Sequence, residues 1–173
     1  THSTSGKYFL TVARLVQYKR VDMVIDAFNK LGWPLVIIGE GREKERLMHR
    51  AKKNIKFLGE LSDEELVSYY ERCRAFVYAG EEDFGIVAVE AQAAGKPVVA
   101  YGKGGIAEIV IPGKTGELFH KQSAFSLIDA LKTMTSRSYD SALCRKNAER
   151  FSEDVFRRNM KDTVMALYNK KTL

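Results

Sequence analysis

The chain of 173 residues is 45% hydrophobic and 29% charged, with three prolines, which excludes wholesale disorder and suits one ordinary domain with a buried core. It contains no apolar run of about eighteen residues, so no segment is predicted to span a bilayer. The formal charge of +6 is compatible with nucleic acid, an anionic membrane face or phosphate-bearing small molecules, and charge alone does not choose among them.

Residues 1–6 are small and polar and are predicted to form a tail or linker. They show no basic stretch followed by an apolar one, so no signal peptide is predicted there. Cys73 and Cys144 form no CxxC pair, and the scattered histidines do not complete the spacing of a zinc site. We therefore expect two buried or half-buried thiols in a reducing compartment.

Short apolar runs alternate with longer segments of helical period along the chain. Ser62 with Glu65 three residues later is the pattern of a capping box that opens one of the helices. In chain order the predicted elements are strand 8–12, helix 21–31, strand 35–38, helix 43–51, strand 55–58, a helix from Ser62 to 72, strand 75–78, helix 86–94, strand 97–100, a short helix after Gly105, strand 117–119, and helices 123–134, 142–150 and 153–169.

The predicted strands are apolar without two-residue alternation, and most are followed by a helix. Such a pattern indicates a parallel sheet that is covered on both faces and joined by right-handed crossovers. The sequence therefore predicts a Rossmann-like, doubly wound α/β domain. Sheets of this class bind ligands at the carboxyl ends of their strands, so the informative residues are those that directly follow strands.

Candidate ligand contacts follow the first two predicted strands. Arg14 and Lys19 offer a guanidinium fork and an ammonium that suit phosphate oxygens, although a solvated basic loop is an equal alternative for this segment alone. Gly39 and Gly41 let the backbone turn sharply or approach a ligand. Because position 44 is lysine, the GxGxxG pattern is absent, which argues against an ordinary NAD site and, for this motif alone, favours a tight turn.

The segment from Glu82 to Glu90 follows the fourth predicted strand and enters a helix. The N–H groups of Gly85, Ile86 and Val87 at the helix start are available to an anion or a hydroxyl. Glu90 comes about one turn later among apolar helical neighbours, where a carboxylate needs a partner. A vicinal diol such as a ribose supplies two donors, and a buried arginine or backbone donor is the equal alternative.

Gly104-Gly105 with Glu108 forms another glycine-rich loop that opens a helix after a strand. It lines the same crevice or is only a flexible turn. The sequence has no P-loop, no GxSxG motif, no DxD metal pair, and no histidine beside a candidate nucleophile. These patterns indicate a domain that holds a nucleotide diphosphate without a base or nucleophile of its own.

The motifs occur in a specific order: Arg14 to Lys19, Gly39-Glu40-Gly41, Glu82-x7-Glu90 with Phe84-Gly85 inside it, Gly95-x-Pro97-Val98, and Gly104-Gly105-x-x-Glu108. In this set the chain resembles the C-terminal, donor-binding half of a retaining GT-B glycosyltransferase of the GT4 type (glycosyl transferases group 1), from about residue 7 to 134 and on through the last helix. The run 81–93 resembles the WbaZ-like mannosyltransferase branch. Asp83 replaces a more usual glycine, and Ala13 and Arg20 stand where glycines are common.

The resemblance implies roles for the matching residues. Arg14 and Lys19 would grip the diphosphate and offset the charge of the leaving nucleotide in place of a metal. Glu82, grouped with them as catalytic, would hold hydroxyls of the transferred sugar together with the backbone of Phe84, Gly85, Ile86 and Val87. Glu90 would bind the ribose hydroxyls. The contacts expected near the base are Gly39, Gly41, Leu58 and Leu61.

The resemblance also implies the partners. The donor would be GDP-mannose or, as the alternative, a UDP-sugar, with no cofactor and no metal. Residues 7–150 would form the donor domain, and 151–173 a helix that packs back toward an N-terminal domain absent from this chain. That domain would bind a glycan or lipid-linked acceptor, so this chain alone is expected to bind donor but to transfer little or nothing.

Two further readings stay open at this point. A stand-alone, non-catalytic nucleotide-binding module would keep the fold without the chemistry, although it would have no reason to retain Arg14, Lys19, Glu82 and Glu90 together. Nucleic-acid binding is suggested only by the net charge, without a nucleic-acid motif, and is not expected. A cytoplasmic location is expected, with peripheral association at the membrane face as an open option.

Overall fold

The structure is a computed structural model that describes residues 6–170. The predicted tail, except for Gly6, and residues 171–173 of the predicted C-terminal segment lie outside the described residues. Within them, six strands form one sheet: β1 (Phe9–Val12), β2 (Leu35–Ile38), β3 (Ile55–Phe57), β4 (Ala75–Tyr78), β5 (Val98–Tyr101) and β6 (Gly116–Phe119). The helices of the same part of the chain are α1 (Val21–Leu31), α2 (Lys44–Arg50), α3 (Asp63–Arg72), α4 (Ile86–Ala93), α5 (Ile106–Ile109), α6 (Ala124–Thr135), α7 (Ser141–Ala148) and α8 (Glu153–Lys170).

The strand order is β3-β2-β1-β4-β5-β6, and every neighbouring pair is parallel. This order confirms the predicted Rossmann-like, doubly wound α/β class. The chain winds outward in one direction from β1 and in the other from β4. The carboxyl ends of β1 and β4 therefore flank the point of reversal, where open α/β sheets bind their ligands.

Apolar side chains of the strands and of one face of α1 form the core. Every residue of β2, β4 and β5 is buried, which explains why these segments show no alternation in sequence. Val24, Ile25 and Phe28 of α1 are also buried, and each such side chain contributes roughly 1.5–3 kcal/mol. This packing fixes α1, and with it the loop that enters α1 from β1.

Most predicted helix ends agree with the structure to within one or two residues, and Ser62 and Glu65 form the predicted capping box of α3. The predicted end of the helix over 142–150 needs correction, because α7 ends at Ala148 and a 3-10 turn covers Glu149–Phe151. The chain breaks there because Ser152 is extended and its hydroxyl accepts a hydrogen bond from the Val155 N–H at 3.4 Å, which starts α8.

Both cysteines are free and buried, as expected from the sequence. Burial raises the pKa of Cys73 to about 12 and that of Cys144 to about 11. Because the thiolate is the reactive form of cysteine, neither sulfur is suited to nucleophilic chemistry near neutral pH. Their role is in packing.

A buried polar network joins α4 to α7. Asn147 Nδ2 donates to Gln92 Oε1 at 2.6 Å and to the Ile109 carbonyl at 2.7 Å. Gln92 Nε2 donates to Thr115 Oγ1 at 3.1 Å, and that oxygen accepts from the Ile111 N–H at 2.9 Å. Because these three side chains are buried and mutually bonded, they hold α4 in one position against its neighbours.

Replacing Asn147 by alanine is expected to lower the free energy of unfolding by about 2–3 kcal/mol, since Gln92 Oε1 and the Ile109 carbonyl lose their shared donor inside the core. Urea unfolding measures the change. The matched control is Asn159→Ala on the exposed surface of α8, for which a change within about 0.5 kcal/mol is expected. Equal stability of the two variants would contradict a stabilising role of the network.

The helix α8 presents apolar side chains to solvent. Phe156, Met160 and Val164 follow at four-residue spacing on one face, and each is at least half exposed. An apolar stripe of this kind is typical of a helix whose face packs against another element. Among the described helices, none combines the length and the apolar character needed to cross a bilayer.

Candidate functional site

A cleft of about 500 Å³ opens where β1 and β4 end, at the reversal of strand order. It is built from the loops that follow these two strands and from the first turn of α4. Its lining residues are Val12, Ala13, Arg14, Tyr18, Lys19, Tyr78, Glu82, Asp83, Phe84, Gly85, Ile86 and Val87. The structure thus brings together in one cleft the two cations, Glu82 and the helix start that the sequence singled out.

Loop 13–20, called the cation loop below, carries both cationic side chains of the cleft, Arg14 and Lys19. Lys19 ends a 3-10 turn, and Arg20 then takes a left-handed conformation with φ of +53° before α1 begins. A non-glycine residue pays roughly 1–2 kcal/mol there, which accounts for the glycine that is common at this position in the family the sequence resembles. Arg14 is exposed in the cleft and makes no ion pair with any described residue.

Two polar side chains of the cleft meet at one oxygen of Glu82. Lys19 Nζ forms a salt bridge with Glu82 Oε1, and the Tyr78 hydroxyl donates to the same atom. The Lys19 and Glu82 side chains are 14% and 20% exposed, so the pair is largely shielded from solvent. Burial, and secondly the hydrogen bond to Glu82, raises the pKa of Tyr78 far above its usual value, so its phenol remains a donor at any physiological pH.

The helix α4 begins at the cleft with Gly85 as its cap. Gly85 has a φ of +95°, and a Cβ at this position would lie 2.5 Å from Ile106 Cγ1, so both conformation and space favour glycine. The N–H groups of Ile86 and Val87 belong to the first turn, where they have no intrahelical acceptor and carry the positive end of the helix dipole. This turn offers donors to an anion or a hydroxyl in the cleft.

Gly39 and Gly41 lie outside the cleft lining, in the turn after β2. A Cβ at position 39 would lie 2.0 Å from the Ala13 carbonyl oxygen, and one at position 41 would lie 2.3 Å from that of Leu15. The Leu15 N–H also donates to the Glu40 carbonyl at 2.8 Å. The two glycines therefore let this turn pack directly on the cation loop, a contact that the sequence-based expectation of a tight turn did not include. Their contact with a base stays a prediction.

Leu58 and Leu61 follow β3 and are half-buried against the core. They are connected to the β2 turn through the Gly39 N–H, which donates to the Gly59 carbonyl at 2.7 Å. They lie beside the turn of Gly39 rather than among the residues that line the cleft. Their predicted place near a base stays a prediction as well.

The loop at Gly104-Gly105 is hydrogen-bonded to the backbone of the segment that carries Glu82. The Gly105 N–H donates to the Glu82 carbonyl at 2.7 Å, and Gly104 pairs with Glu82 as an isolated parallel bridge. Glu108 is exposed, and none of the three residues lines the cleft. Of the two sequence-based interpretations, neither a crevice wall nor a flexible turn describes this loop, because its backbone holds the segment that carries Glu82.

Glu90 differs from its predicted surroundings. The residue is exposed rather than placed on a buried apolar face, because α4 turns this side toward solvent near α3. Its Oε2 accepts a hydrogen bond from the Tyr70 hydroxyl at 3.0 Å, so the partner is neither a buried arginine nor a backbone donor. The carboxylate therefore has a fixed position with room for further donors, and a contact with ribose hydroxyls stays a prediction.

Sequence reasoning missed Tyr78. A tyrosine at the end of a buried strand has the pattern of a core residue, and no motif distinguished it from Phe76 two positions earlier. Its spacing of four residues from Glu82 was the only available signal. Within residues 6–170, no group of three or more His, Cys, Asp or Glu residues is arranged so that it could hold a metal ion.

Comparison with known proteins gives concordant results. The sequence profile of the family described as Glycosyl transferases group 1 matches residues 1–151. An uncharacterised glycosyltransferase of Methanocaldococcus jannaschii is 32% identical over 149 residues, which cover 83% of this chain and 42% of that protein. The chain therefore spans well under half the length of this relative.

Two solved structures share the fold. The crystal structure of HepE from Anabaena in complex with UDP-glucose superposes with a TM-score of 0.79 at 22% identity, over 94% of this chain and 49% of HepE. The C-terminal domain of a glycosyl transferase group 1 family protein (LpcC) from Francisella tularensis superposes with a TM-score of 0.66 at 30% identity, over 83% of this chain and 81% of that domain. The matching region is thus a C-terminal domain in the second of these proteins.

Proposed function

This chain belongs to the glycosyl transferases group 1 family, and we propose that it is the donor-binding domain of a retaining, metal-independent glycosyltransferase. The observation that carries the proposal is the cleft at the strand reversal, where Arg14, Lys19, Glu82 and the start of α4 meet. A nucleotide sugar presents two charged phosphates and many hydroxyls. The cleft offers cations, helix N–H groups and a carboxylate in matching number and kind.

In this proposal each group of the cleft has one task. Arg14 and Lys19 bind the diphosphate, and the N–H groups of Ile86 and Val87 add neutral donors to it or to the sugar. Glu82 accepts from a hydroxyl of the sugar. Outside the cleft lining, Glu90 accepts from the ribose, and the base lies toward the turns that contain Gly39 and Leu58.

The proposed transfer breaks the bond between the anomeric carbon and the leaving phosphate oxygen, and an acceptor oxygen bonds to that carbon on the same face. The acceptor proton passes to the leaving diphosphate, so no protein base is needed. Arg14 and Lys19 stabilise the charge that develops on the diphosphate, which is the task that a metal ion performs in other transferases. Because Glu82 and Glu90 have separate tasks, the two-carboxylate logic of glycosidases does not apply.

The identity of the donor is proposed from the segment 81–86, which resembles that of WbaZ-like mannosyltransferases and favours GDP-mannose. The second candidate is a UDP-sugar, and the observation that favours it is the complex of HepE with UDP-glucose. Both candidates contain the diphosphate and the ribose. They differ in the base, which is proposed to lie toward the turns after β2 and β3, and in the sugar, which is proposed to contact Glu82.

We propose residues 7–150 as the donor domain and 151–173 as a C-terminal segment whose helix α8 packs on an acceptor-binding N-terminal domain of the whole enzyme. The exposed apolar face of α8 supports this packing. The acceptor is proposed to be a glycan or lipid-linked glycan, handled in the cytoplasm at the membrane face. The chain covers 42% of the length of its Methanocaldococcus jannaschii relative, and we propose that these residues bind the donor but need the acceptor-binding domain for transfer.

Isothermal titration calorimetry of the chain with GDP, UDP, GDP-mannose and UDP-glucose tests the proposal. We expect one nucleotide series to bind, equally well with and without EDTA. Failure of all four nucleotides to bind both this chain and the full-length enzyme would contradict the proposal and favour a non-catalytic module. Dependence of binding on an added divalent cation would contradict the metal-independent chemistry alone.

Glu90 gives a second test. Glu90→Gln is expected to weaken binding of the preferred nucleoside diphosphate about fivefold, while binding of its 2′-deoxy analogue changes little, because the lost interaction is a charge-assisted hydrogen bond to the ribose. The amide preserves an acceptor for the Tyr70 hydroxyl. The same loss for the ribo and deoxy forms, measured by the same titration, would refute the ribose contact.

A further inference from the structure

We propose that Tyr78 is a positioning residue, which fixes one oxygen of Glu82 beside Lys19 and leaves the other oxygen for a hydroxyl of the donor sugar. The inference rests on the proposed function and adds to it a residue that couples recognition of the sugar to recognition of the diphosphate. The Tyr78 side chain is buried under the cleft, and its hydroxyl reaches the Glu82 carboxylate.

The contacts are specific to one atom. The Tyr78 hydroxyl and Lys19 Nζ both donate to Glu82 Oε1, whereas Oε2 accepts no hydrogen bond from any residue in the described part of the chain. Lys19 Nζ also lies 5.9 Å from the centre of the Tyr78 ring and 4.7 Å from that of Tyr18. The ammonium is therefore held between a carboxylate oxygen and two aromatic rings.

Tyr78 is the rigid member of this group. Its side chain is 1% exposed, it ends β4, and its ring stacks on Phe76 with centroids 6.2 Å apart and an interplanar angle of 17°. Glu82 lies in a loop and has three rotatable side-chain bonds, and Lys19 has four. A donor fixed by the core restricts the Glu82 carboxylate before a ligand arrives, which lowers the entropy lost when that carboxylate binds a sugar hydroxyl.

The arrangement divides the work of Glu82 between its two oxygens. Oε1 balances the charge of Lys19, so a partly shielded carboxylate does not repel the diphosphate. Oε2 has unused acceptor capacity for a hydroxyl, and its position follows from that of Oε1. Without the phenol, Lys19 alone would hold Glu82, and the carboxylate would follow the ammonium as it turns to the phosphates.

The test is Tyr78→Phe, which keeps the ring and removes the hydroxyl. The measured quantity is the ratio of the dissociation constant of the preferred nucleoside diphosphate to that of its nucleotide sugar, GDP with GDP-mannose and UDP with UDP-glucose. We expect this ratio to fall about five- to tenfold in the variant, less than for the loss of a direct hydrogen bond to a charged group, because Tyr78 acts on the sugar only through Glu82. Binding of the nucleoside diphosphate itself should change by less than about twofold.

Tyr139→Phe is the matched control. Tyr139 is also buried, and its hydroxyl donates to Glu117 Oε1 at 2.5 Å beside Arg137, whose Nη1 lies 2.6 Å from the same oxygen. This is the same trio of tyrosine, carboxylate and cation, but it joins β6, which carries Glu117, to the segment between α6 and α7, outside the cleft. The control should lose stability to a similar degree and leave the dissociation-constant ratio unchanged.

A crystal structure of Tyr78→Phe supplies a readout that needs no nucleotide. We expect Glu82 to leave its single position or to occupy several rotamers; an unmoved Glu82 with Lys19 still on Oε1 would overturn the inference. So would an unchanged ratio in Tyr78→Phe when Glu82→Gln lowers it, or an equal loss for nucleotide and nucleotide sugar. If the wild-type chain and the full-length enzyme bind no nucleotide, the proposed function fails and this inference fails with it, whereas a failure confined to Tyr78→Phe leaves the proposed function intact.

Discussion

Lys19→Met is expected to weaken binding of the preferred nucleoside diphosphate by about ten- to a hundredfold, through two effects of the same sign. The variant removes one of the two cations proposed to contact the phosphates, and hydrogen bonds to charged groups contribute about 1.5–3 kcal/mol each. It also leaves Glu82 in the cleft without its cation, so the carboxylate repels the incoming diphosphate. Calorimetric titration of the variant and the wild type measures the loss.

The control for Lys19→Met is Lys30→Met. Lys30 lies in the last turn of α1 and places its Nζ 3.8 Å from the centre of the Phe125 ring, so it too is a lysine over an aromatic ring, but it lies outside the cleft. Its loss should change binding by less than about twofold. A comparable loss in both variants would mean that net charge, rather than the cleft, governs binding.

A double variant separates the two effects. If repulsion by Glu82 is part of the loss, then Lys19→Met combined with Glu82→Gln should bind the nucleoside diphosphate more tightly than Lys19→Met alone. If the double variant is weaker than the single one, Glu82 itself contributes to nucleotide binding, and the proposed division of tasks between diphosphate and sugar is wrong.

The fold followed from the sequence because each strand is a buried apolar run and most are followed by a helix with one apolar face. Such segments depend on burial, which the chain encodes locally, and β2 and β4 end where predicted. The break after Ala148 did not follow, since residues 142–150 have a continuous helical pattern. The helix ends because Ser152 takes an extended conformation to cap the next helix, α8.

Only part of the candidate site could be predicted from the sequence, because the surroundings of a side chain depend on tertiary packing. Residues that follow strands were correctly expected to meet, because parallel strands place their carboxyl ends together. The surroundings of individual side chains were less accessible. Glu90 was expected on an apolar face because its neighbours in the helix are apolar, yet it is exposed, and its hydrogen-bond donor, Tyr70, lies on α3. Tyr78 was missed because its role depends on Glu82 and Lys19, which tertiary structure brings to one place.

The sequence also did not reveal why glycine is required at position 39. Gly39 was considered for ligand contact, whereas its surroundings explain it through the packing of two loops. A residue with φ of +133° and no room for a Cβ is required by the protein itself, whatever binds nearby. A substitution there should therefore alter the cation loop, and through it the cleft, without touching a ligand.

Gly39→Ala is accordingly expected to lower the free energy of unfolding by about 3–5 kcal/mol. The backbone conformation is strained for any L-residue, and the new Cβ would meet the Ala13 carbonyl oxygen at 2.0 Å, so the turn after β2 must separate from the cation loop. Chemical denaturation measures this change, and nucleotide titration should show a parallel loss as Arg14 and Lys19 are displaced.

The comparison with Gly32→Ala isolates the steric part of that effect. Gly32 caps the end of α1 with φ of +68°, and no atom lies within 4 Å of a Cβ built there. Alanine at this position carries only the conformational cost of about 1–2 kcal/mol and should leave nucleotide binding unchanged. If Gly39→Ala cost no more than Gly32→Ala, the two loops would have room to separate freely. The contact between the β2 turn and the cation loop would then not be what holds Arg14 and Lys19 at the cleft.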